Sequence, residues 1–299
     1  MAAVAAPATR AREITSFAAT RDRRAFVSTL MTSLMALSVL VILVPLGAVL
    51  YTVISKGASV LSIDFLTKDI PVVSRSVGPG MGPAIFGTLL ITAIASVMAL
   101  PVGILAAIYL NEYSAGGRLG KLVRFLATVM TGVPSVVMGL FVYITYTLRY
   151  KQNAFGGSLA LAFLMLPIII RSTEEMLKLV PNNLREASAA LGARRSRTIL
   201  TVSLPAALPG VVSGCLLAIA RAAGETAPIL FVVGATNTMN ANMFNGVNTA
   251  LSAQIFTNAQ QPFAGAQARA WGAAFTLLSL AFLVTLAARL ITARFALKR

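Results

Sequence analysis

Histidine is absent from the 299 residues, cysteine occurs once, and only nine side chains are acidic. Without histidine, neither an imidazole proton relay nor a histidine-ligated zinc site can be built. The single Cys215 excludes a disulfide framework or a cysteine metal cluster. Charged residues make up 11% of the chain, against about 25% in ordinary soluble domains. Too few polar groups remain to cover a water-facing surface, so the composition excludes a soluble enzyme. A phosphate-cradling loop is missing as well. The nearest string, Gly116-Gly117-Arg118-Leu119-Gly120-Lys121-Leu122, has the wrong glycine spacing and no Ser or Thr after its lysine. If ATP is used, another chain must bind it. No nucleophile–base pair stands out either, which leaves a membrane enzyme the least favoured class.

What the chain has is hydrophobic length: 57% of its residues are hydrophobic and the mean hydropathy is +0.82. A bilayer core of about 30 Å needs roughly 20 apolar residues in helical form. Six runs qualify or nearly qualify: 27–54, 84–110, 122–148, 158–170, 208–234 and 271–291. The expected fold class is therefore an all-α membrane protein of six transmembrane helices. Residues 1–26 read as a tail and 27–299 as one six-helix transmembrane domain. The third run is interrupted by Gly132 and Pro134, which predicts a kink. The fourth is too short to cross, so it is expected to continue through Arg171 and Glu174 to about Leu177. The first run is much longer than a signal-peptide core and no small-residue cleavage pattern follows it. Glu13 and Asp22 interrupt the Arg- and Ala-rich segment before it, against a transit peptide.

Lys and Arg outnumber Asp and Glu by 25 to 9, a formal charge of +16. Their distribution explains the excess. Arg10, Arg12, Arg21, Arg23 and Arg24 precede the first span, and Arg118, Lys121 and Arg124 follow the second. Arg171, Lys178, Arg185, Arg194, Arg195 and Arg197 follow the fourth, and Arg289, Arg294, Lys298 and Arg299 end the chain. Only Lys56, Lys68, Arg75, Arg149, Lys151 and Arg269 fall on the other side. The positive-inside rule then places both termini in the cytoplasm. The charge reads as topology, with no nucleic-acid partner implied.

Between spans four and five, Pro181 to Ser196 reads as a short helix at the membrane surface, about 182–193. Pro181 suits its start and Gly192 its C-terminal cap. On physical grounds an interfacial helix with snorkelling arginines is an equal alternative to a docking element. Within it, Glu186-Ala187-Ser188, Gly192 and Val202-x-Leu204-Pro205 match in register the Glu-Ala-Ala-x3-Gly-x9-Ile-x-Leu-Pro loop of binding-protein-dependent ABC importer permeases. Ser188 for Ala and Val202 for Ile are the departures. The chain thus resembles that family, which implies the MetI-like type I importer architecture. It also implies a coupling helix, carrying Glu186, Ala187, Ser188 and Gly192, seated in an ATPase subunit. Small Ala187 and Ser188 are expected to permit close packing there.

Span five contains Arg221-Ala222-Ala223-Gly224-Glu225-Thr226-Ala227-Pro228. Read as a continuous span, it puts Arg221 near the bilayer midplane and Glu225 one turn outward. Each such charge costs about 2.5–3.5 kcal/mol at a helix centre, so it needs a partner or water. A structural i,i+4 pair is one reading. A substrate pathway is the other, and the Arg-before-Glu order is the weaker one for pairing. Two arginines, Arg171 and Arg221, with no histidine suit an oxyanion held by guanidinium forks. Glu174 and Glu225 would keep the anion from binding too tightly.

The string from Arg221 to Pro228, Arg171-x-x-Glu174 and Gly82-Pro83-Ala84-Ile85-Phe86-Gly87-Thr88-Leu89 resemble the membrane subunits of phosphate-specific importers, the A-type more than its C-type partner. That resemblance spans about residues 28–295. It implies phosphate passage past Arg171, Glu174 and Arg221; Glu225 is added on physical grounds. It implies no cofactor in this chain. The implied assembly has a second, homologous permease subunit, two ATPase subunits and an extracytoplasmic phosphate-binding protein, in the bacterial inner membrane. ATP-driven closure on the coupling helix would reorient spans four and five. The alternatives are the same class carrying sulfate or molybdate, an ion-coupled secondary transporter, and a non-transporting membrane scaffold. The outer loops, 55–83 and the asparagine-rich 235–270, fit a docking surface and a solvated linker equally.

Overall fold

A computed structural model describes residues 21–296 apart from 77, 79 and 115. Most of the expected tail, and the terminal Lys298 and Arg299, lie outside the described residues. Helix α1 runs Arg21–Ala58, so it begins before the apolar run does. The segment up to Tyr51 forms a unit of its own. Its described part is the helix α1, whose apolar side chains, Leu34, Val41, Val44 and Tyr51 among them, are exposed. An apolar helix with all its backbone bonds internal is what a lipid environment accepts.

The second unit starts at Thr52. Among the described residues, five helices of the chain are long and apolar enough to cross a membrane, and six if one bent pair counts as a span. The chain belongs to the all-helical membrane class. Short α2 (Ile63–Thr67) precedes α3 (Gly82–Ile108), which ends in a π-helical turn, Tyr109–Tyr113. The bent pair is α4 (Arg118–Gly132) and α5 (Ser135–Val142, continued to Tyr150), meeting at 106°. Gly132-Val133-Pro134 sits at the bend. Pro134 holds Val133 extended, which ends α4, and then caps α5. The expected kink is a break.

Helix α6 (Ala154–Lys178) is the axis of this unit. It crosses the apolar run and continues through Arg171 and Glu174, as its short hydrophobic stretch required. Asn153 starts it by accepting a hydrogen bond from the Gly156 amide at 2.9 Å. On one side α3 presents Ile91, Ala95, Ala99 and Gly103, one residue every four, and Ile169 fills the space a Cβ at Gly103 would need. On the other side α8 (Leu204–Ala223) presents Ala207, Val211, Cys215 and Ala218. There Gly210 and Gly214 take Met176 and Ser172 against their bare Cα atoms. Small residues let backbones approach, which is how helices gain contact energy in lipid. The Gly210-x-x-x-Gly214 stripe is thus the α6–α8 seam.

Between α6 and α8 lies α7 (Asn182–Ala190), and the chain reaches α8 through a helical turn, Arg195–Thr198, and a further π-helical segment, Ile199–Ser203. Span five therefore starts at Arg195 rather than 208. It also stops at Ala223; α9 (Ala227–Val232) follows a break. Beyond lie α10 (Leu251–Ala259) and the long α11 (Ala264–Ala296). Outer segments pack here. Phe65 of α2 is fully buried with Met81, Ala84, Leu251 and Ala273, and Thr88 accepts from the Leu251 amide at 2.8 Å. The asparagines of the outer loop close it on itself. Asn240 donates to the Asn245 and Val247 carbonyls, Asn242 accepts from the Phe244 and Asn245 amides, and buried Asn248 donates to the Asn240 carbonyl. The polar string is thus a loop knitted by its own hydrogen bonds.

Candidate functional site

Two broken spans meet. Gly139 of α5 lies directly against Pro228 of α9, with no room for a Cβ between them. Val142 and Val232 are buried together with Ala160 of α6. This contact holds the α4–α5 break beside the α8–α9 break. A cavity of about 280 Å³ opens there, lined by Met130 to Ser135, by Leu164, Pro167 and Ile168 of α6, and by Arg221. Backbone freed at helix breaks is tolerated at membrane depth where it lines a cavity.

Arg221 belongs to the last turn of α8, not to the middle of a continuous span. Gly224 closes that helix, donating to the Arg221 carbonyl at 3.1 Å. The expected midspan position is corrected for a local reason: Gly224, two residues short of Thr226 and four short of Pro228, ends the helix and Pro228 starts the next. A cation at a helix C-terminus is favourably placed. Its side chain is 67% exposed, while Glu225, in the break, is 17% exposed and stands 3.7 Å away. That pair is long and leaves the guanidinium open. The Glu225 carbonyl is fixed by Ser252 at 2.8 Å, which ties the break to α10.

Arg171 lies one turn along α6 from Pro167 and Ile168. It is exposed and donates to the Thr128 hydroxyl of α4 at 2.9 Å. The α4–α6 groove thus carries Arg171 beyond the cavity that Arg221 lines. Glu174 has a different neighbourhood. It is buried, 2.8 Å from Arg124 of α4 and 2.9 Å from Lys178. Sequence spacing alone had grouped it with Arg171 as a cavity-facing charge. It lies on the same α4-facing side of α6 as Arg171, but buried in the α4–α6 seam, where it joins helices. Glu174→Ala should strand Arg124 and Lys178. We expect a loss of about 1–3 kcal/mol, reduced by the partial exposure of both cations. A lowered unfolding midpoint of the detergent-solubilised protein would register it.

The loop helix α7 has no buried residue. Pro181 caps its start, and Gly192 closes its end at φ +78° with the Ala193 amide on the Ser188 carbonyl at 3.1 Å. Glu186 and Ala187 face outward. Ser188 does not: its hydroxyl is 2.9 Å from that of Thr198, half-buried. It fastens the loop internally, so close packing at the exposed face falls to Ala187. The residue holding α7 down is Arg185, counted from sequence only among the basic residues. Its partner Glu112 was overlooked, although an acid among nine at the end of an apolar helix was a usable signal. Among the described residues no group of acids and cysteine could hold a metal.

A helical unit with two interrupted spans meeting at a cavity, and an exposed loop helix at its basic end, is built as a transport permease. Residues 99–297 match the family of binding-protein-dependent transport system inner membrane components, and the chain belongs to that family. Phosphate transport system permease protein PstA 1 of Mycobacterium tuberculosis (strain ATCC 25618 / H37Rv) is 40% identical over 273 residues, covering 90% of this chain and 88% of the relative. PstA of Mycobacterium leprae is 40% identical over 262 residues (86% of each), and PstA of Haemophilus influenzae 38% over 246 (82% and 86%). In fold the chain is similar to the MetNI methionine ABC transporter in an inward-facing form, at TM-score 0.59 and 20% identity over 71% of this chain and 94% of that one. A bacterial alginate ABC transporter gives 0.60 at 14% identity, over 89% and 94%. The chain is a multi-pass membrane permease and not an enzyme.

Proposed function

We propose that this chain forms half of the transmembrane pathway of an ATP-binding-cassette importer for inorganic phosphate. A second, homologous permease subunit would supply the other half, in the bacterial inner membrane with both termini cytoplasmic. Two ATPase subunits would engage the face of α7 that carries Glu186, Ala187 and the Gly192 turn. A phosphate-binding protein would deliver the cargo from outside. The observation that carries this reading is the open guanidinium of Arg221 on the cavity at the meeting of two helix breaks. Relatives at 38–40% identity named as phosphate permeases support it.

The chemistry follows from the side chains. Arg221 offers a planar fork to an oxyanion, and Arg171 a second cation further along α6. Glu225 beside Arg221 adds selection. Near neutral pH phosphate still carries a proton that a carboxylate can accept, whereas sulfate carries none and meets only repulsion. Glu174 holds α4 to α6 and so positions the groove.

Vesicles containing the whole assembly test the cargo. ATP-dependent uptake of labelled phosphate should exceed that of sulfate by at least about tenfold, one charge-assisted hydrogen bond against a like-charge contact. Glu225→Gln should narrow that ratio. Preference for sulfate would overturn phosphate as the cargo and leave the class intact, whereas uptake without nucleotide would overturn the class.

A further inference from the structure

Three arginines from three separate segments converge on one turn of the chain. The turn is the π-helical end of α3, Tyr109–Tyr113. From α4, Arg124 donates to the Leu110 carbonyl at 2.8 Å. From α7, Arg185 pairs with the Glu112 carboxylate at 3.1 Å. From the turn after α7, Arg195 stacks over the Tyr113 ring at 5.1 Å. Leu110 and Glu112 are buried.

Arg185 is the only cation on α7. Its second nitrogen donates to the Val180 carbonyl at 2.8 Å, and the nitrogen that meets Glu112 also donates to the Leu177 carbonyl at 2.8 Å. One guanidinium thus joins α7, the C-terminal carbonyls of α6 and the end of α3. Charge-assisted bonds of this kind, held at low exposure, are the stiff ones. The other side-chain link from α7, Ser188 to Thr198, is a single neutral hydrogen bond toward α8.

We infer that the Tyr109–Tyr113 turn receives the movement of α7 and passes it to α3, with Glu112, Arg185 and Tyr113 as positioning residues for coupling. The inference rests on the reading of α7 as the ATPase-facing helix. It adds a route through span two to the one through spans four and five. A π-helical turn carries an extra residue per turn and so can change register locally while the rigid α3 beyond it moves as a body. The stripe of α3 from Ile91 to Gly103 then carries that motion along α6 between Gly157 and Ile169.

The test uses the complete importer in vesicles, with phosphate uptake and ATP hydrolysis measured together. Glu112→Gln and Tyr113→Leu should lower phosphate transported per ATP about three- to tenfold, in the range measured for coupling residues remote from a ligand. Glu112→Asp and Tyr113→Phe, which retain the charge and the ring, should stay within about twofold of the parent. Tyr113 is 46% exposed, so its variants keep the fold even if Glu112 variants do not. A parental ratio in both Glu112→Gln and Tyr113→Leu would overturn the inference. So would equal losses of hydrolysis and uptake, which signal assembly damage alone. Glu186→Lys serves as the control: if ATPase binding survives it, the reading of α7 fails instead.

Discussion

Vesicles carrying Arg221→Leu should take up phosphate about 100-fold more slowly than the parent, with the importer still assembled and still binding nucleotide. Two charge-assisted hydrogen bonds from one guanidinium fork are worth roughly 1.5–3 kcal/mol each, and every 1.4 kcal/mol is tenfold. Non-additivity brings the product down to the stated figure. The fold should survive the change. The side chain is 67% exposed and its distance to Glu225 is 3.7 Å, so little stability rests on it. Arg221→Lys keeps the charge without the fork and should retain about a tenth of the uptake. Parental uptake by the leucine variant would remove Arg221 from the pathway and favour a purely structural pair with Glu225.

Reversing one charge on α7 should be as severe, by a different route. Glu186→Lys should strip the ATPase subunits from the purified complex and reduce ATP-driven uptake by about 100-fold or more. Like charges set against each other at an interface cost several kcal/mol. Arg185 and Glu186 are sequence neighbours that a helix points in different directions. Arg185 turns inward to α3 and α6, while Glu186 is exposed. The substitution therefore spares the bonds that seat α7, and the unfolding midpoint of the chain alone should not move. Co-purification with a nucleotide-binding partner is the measurement. An intact complex would exclude this face of α7 as the docking surface.

Much of the fold was legible before any coordinates. The apolar runs located the spans, because covering about 30 Å of hydrocarbon leaves a long, nearly uncharged signal. The length deficit of 158–170 required α6 to extend over Arg171 and Glu174, and it does, to Lys178. Gly192 announced its own left-handed turn. The limits of span five were less legible. Residues 195–203 are too polar to register as membrane-crossing, yet they are helical and continuous with α8. At the other end an apolar string hides the break at Gly224–Thr226, because hydropathy is blind to where a helix stops.

The candidate site divides along the same line. Arg171 and Arg221 stood out because charges in a hydrophobic run are costly and few. Glu174 stood out equally, but its partners are Arg124, fifty residues earlier, and Lys178. Sequence spacing cannot show which face of α6 meets α4. Arg185 and Glu112 are 73 residues apart, and their pairing exists only because α3 and α6 end side by side. The 106° bend is the same kind of fact. Gly132 and Pro134 permit a bend, but its size depends on what α5 packs against, here Pro228.

By itself, then, the sequence determined the membrane class, the number of candidate spans, the expected orientation of the basic loops and the loop helix of the permease family. Those follow from solvation and local backbone preference, which each residue carries with it. Tertiary structure alone decided which of the rare charges stay open at a cavity and which are used up joining helices. That choice depends on neighbours brought together from distant parts of the chain. It separates Arg221 from Glu174, and it makes the end of α3 a junction for three arginines.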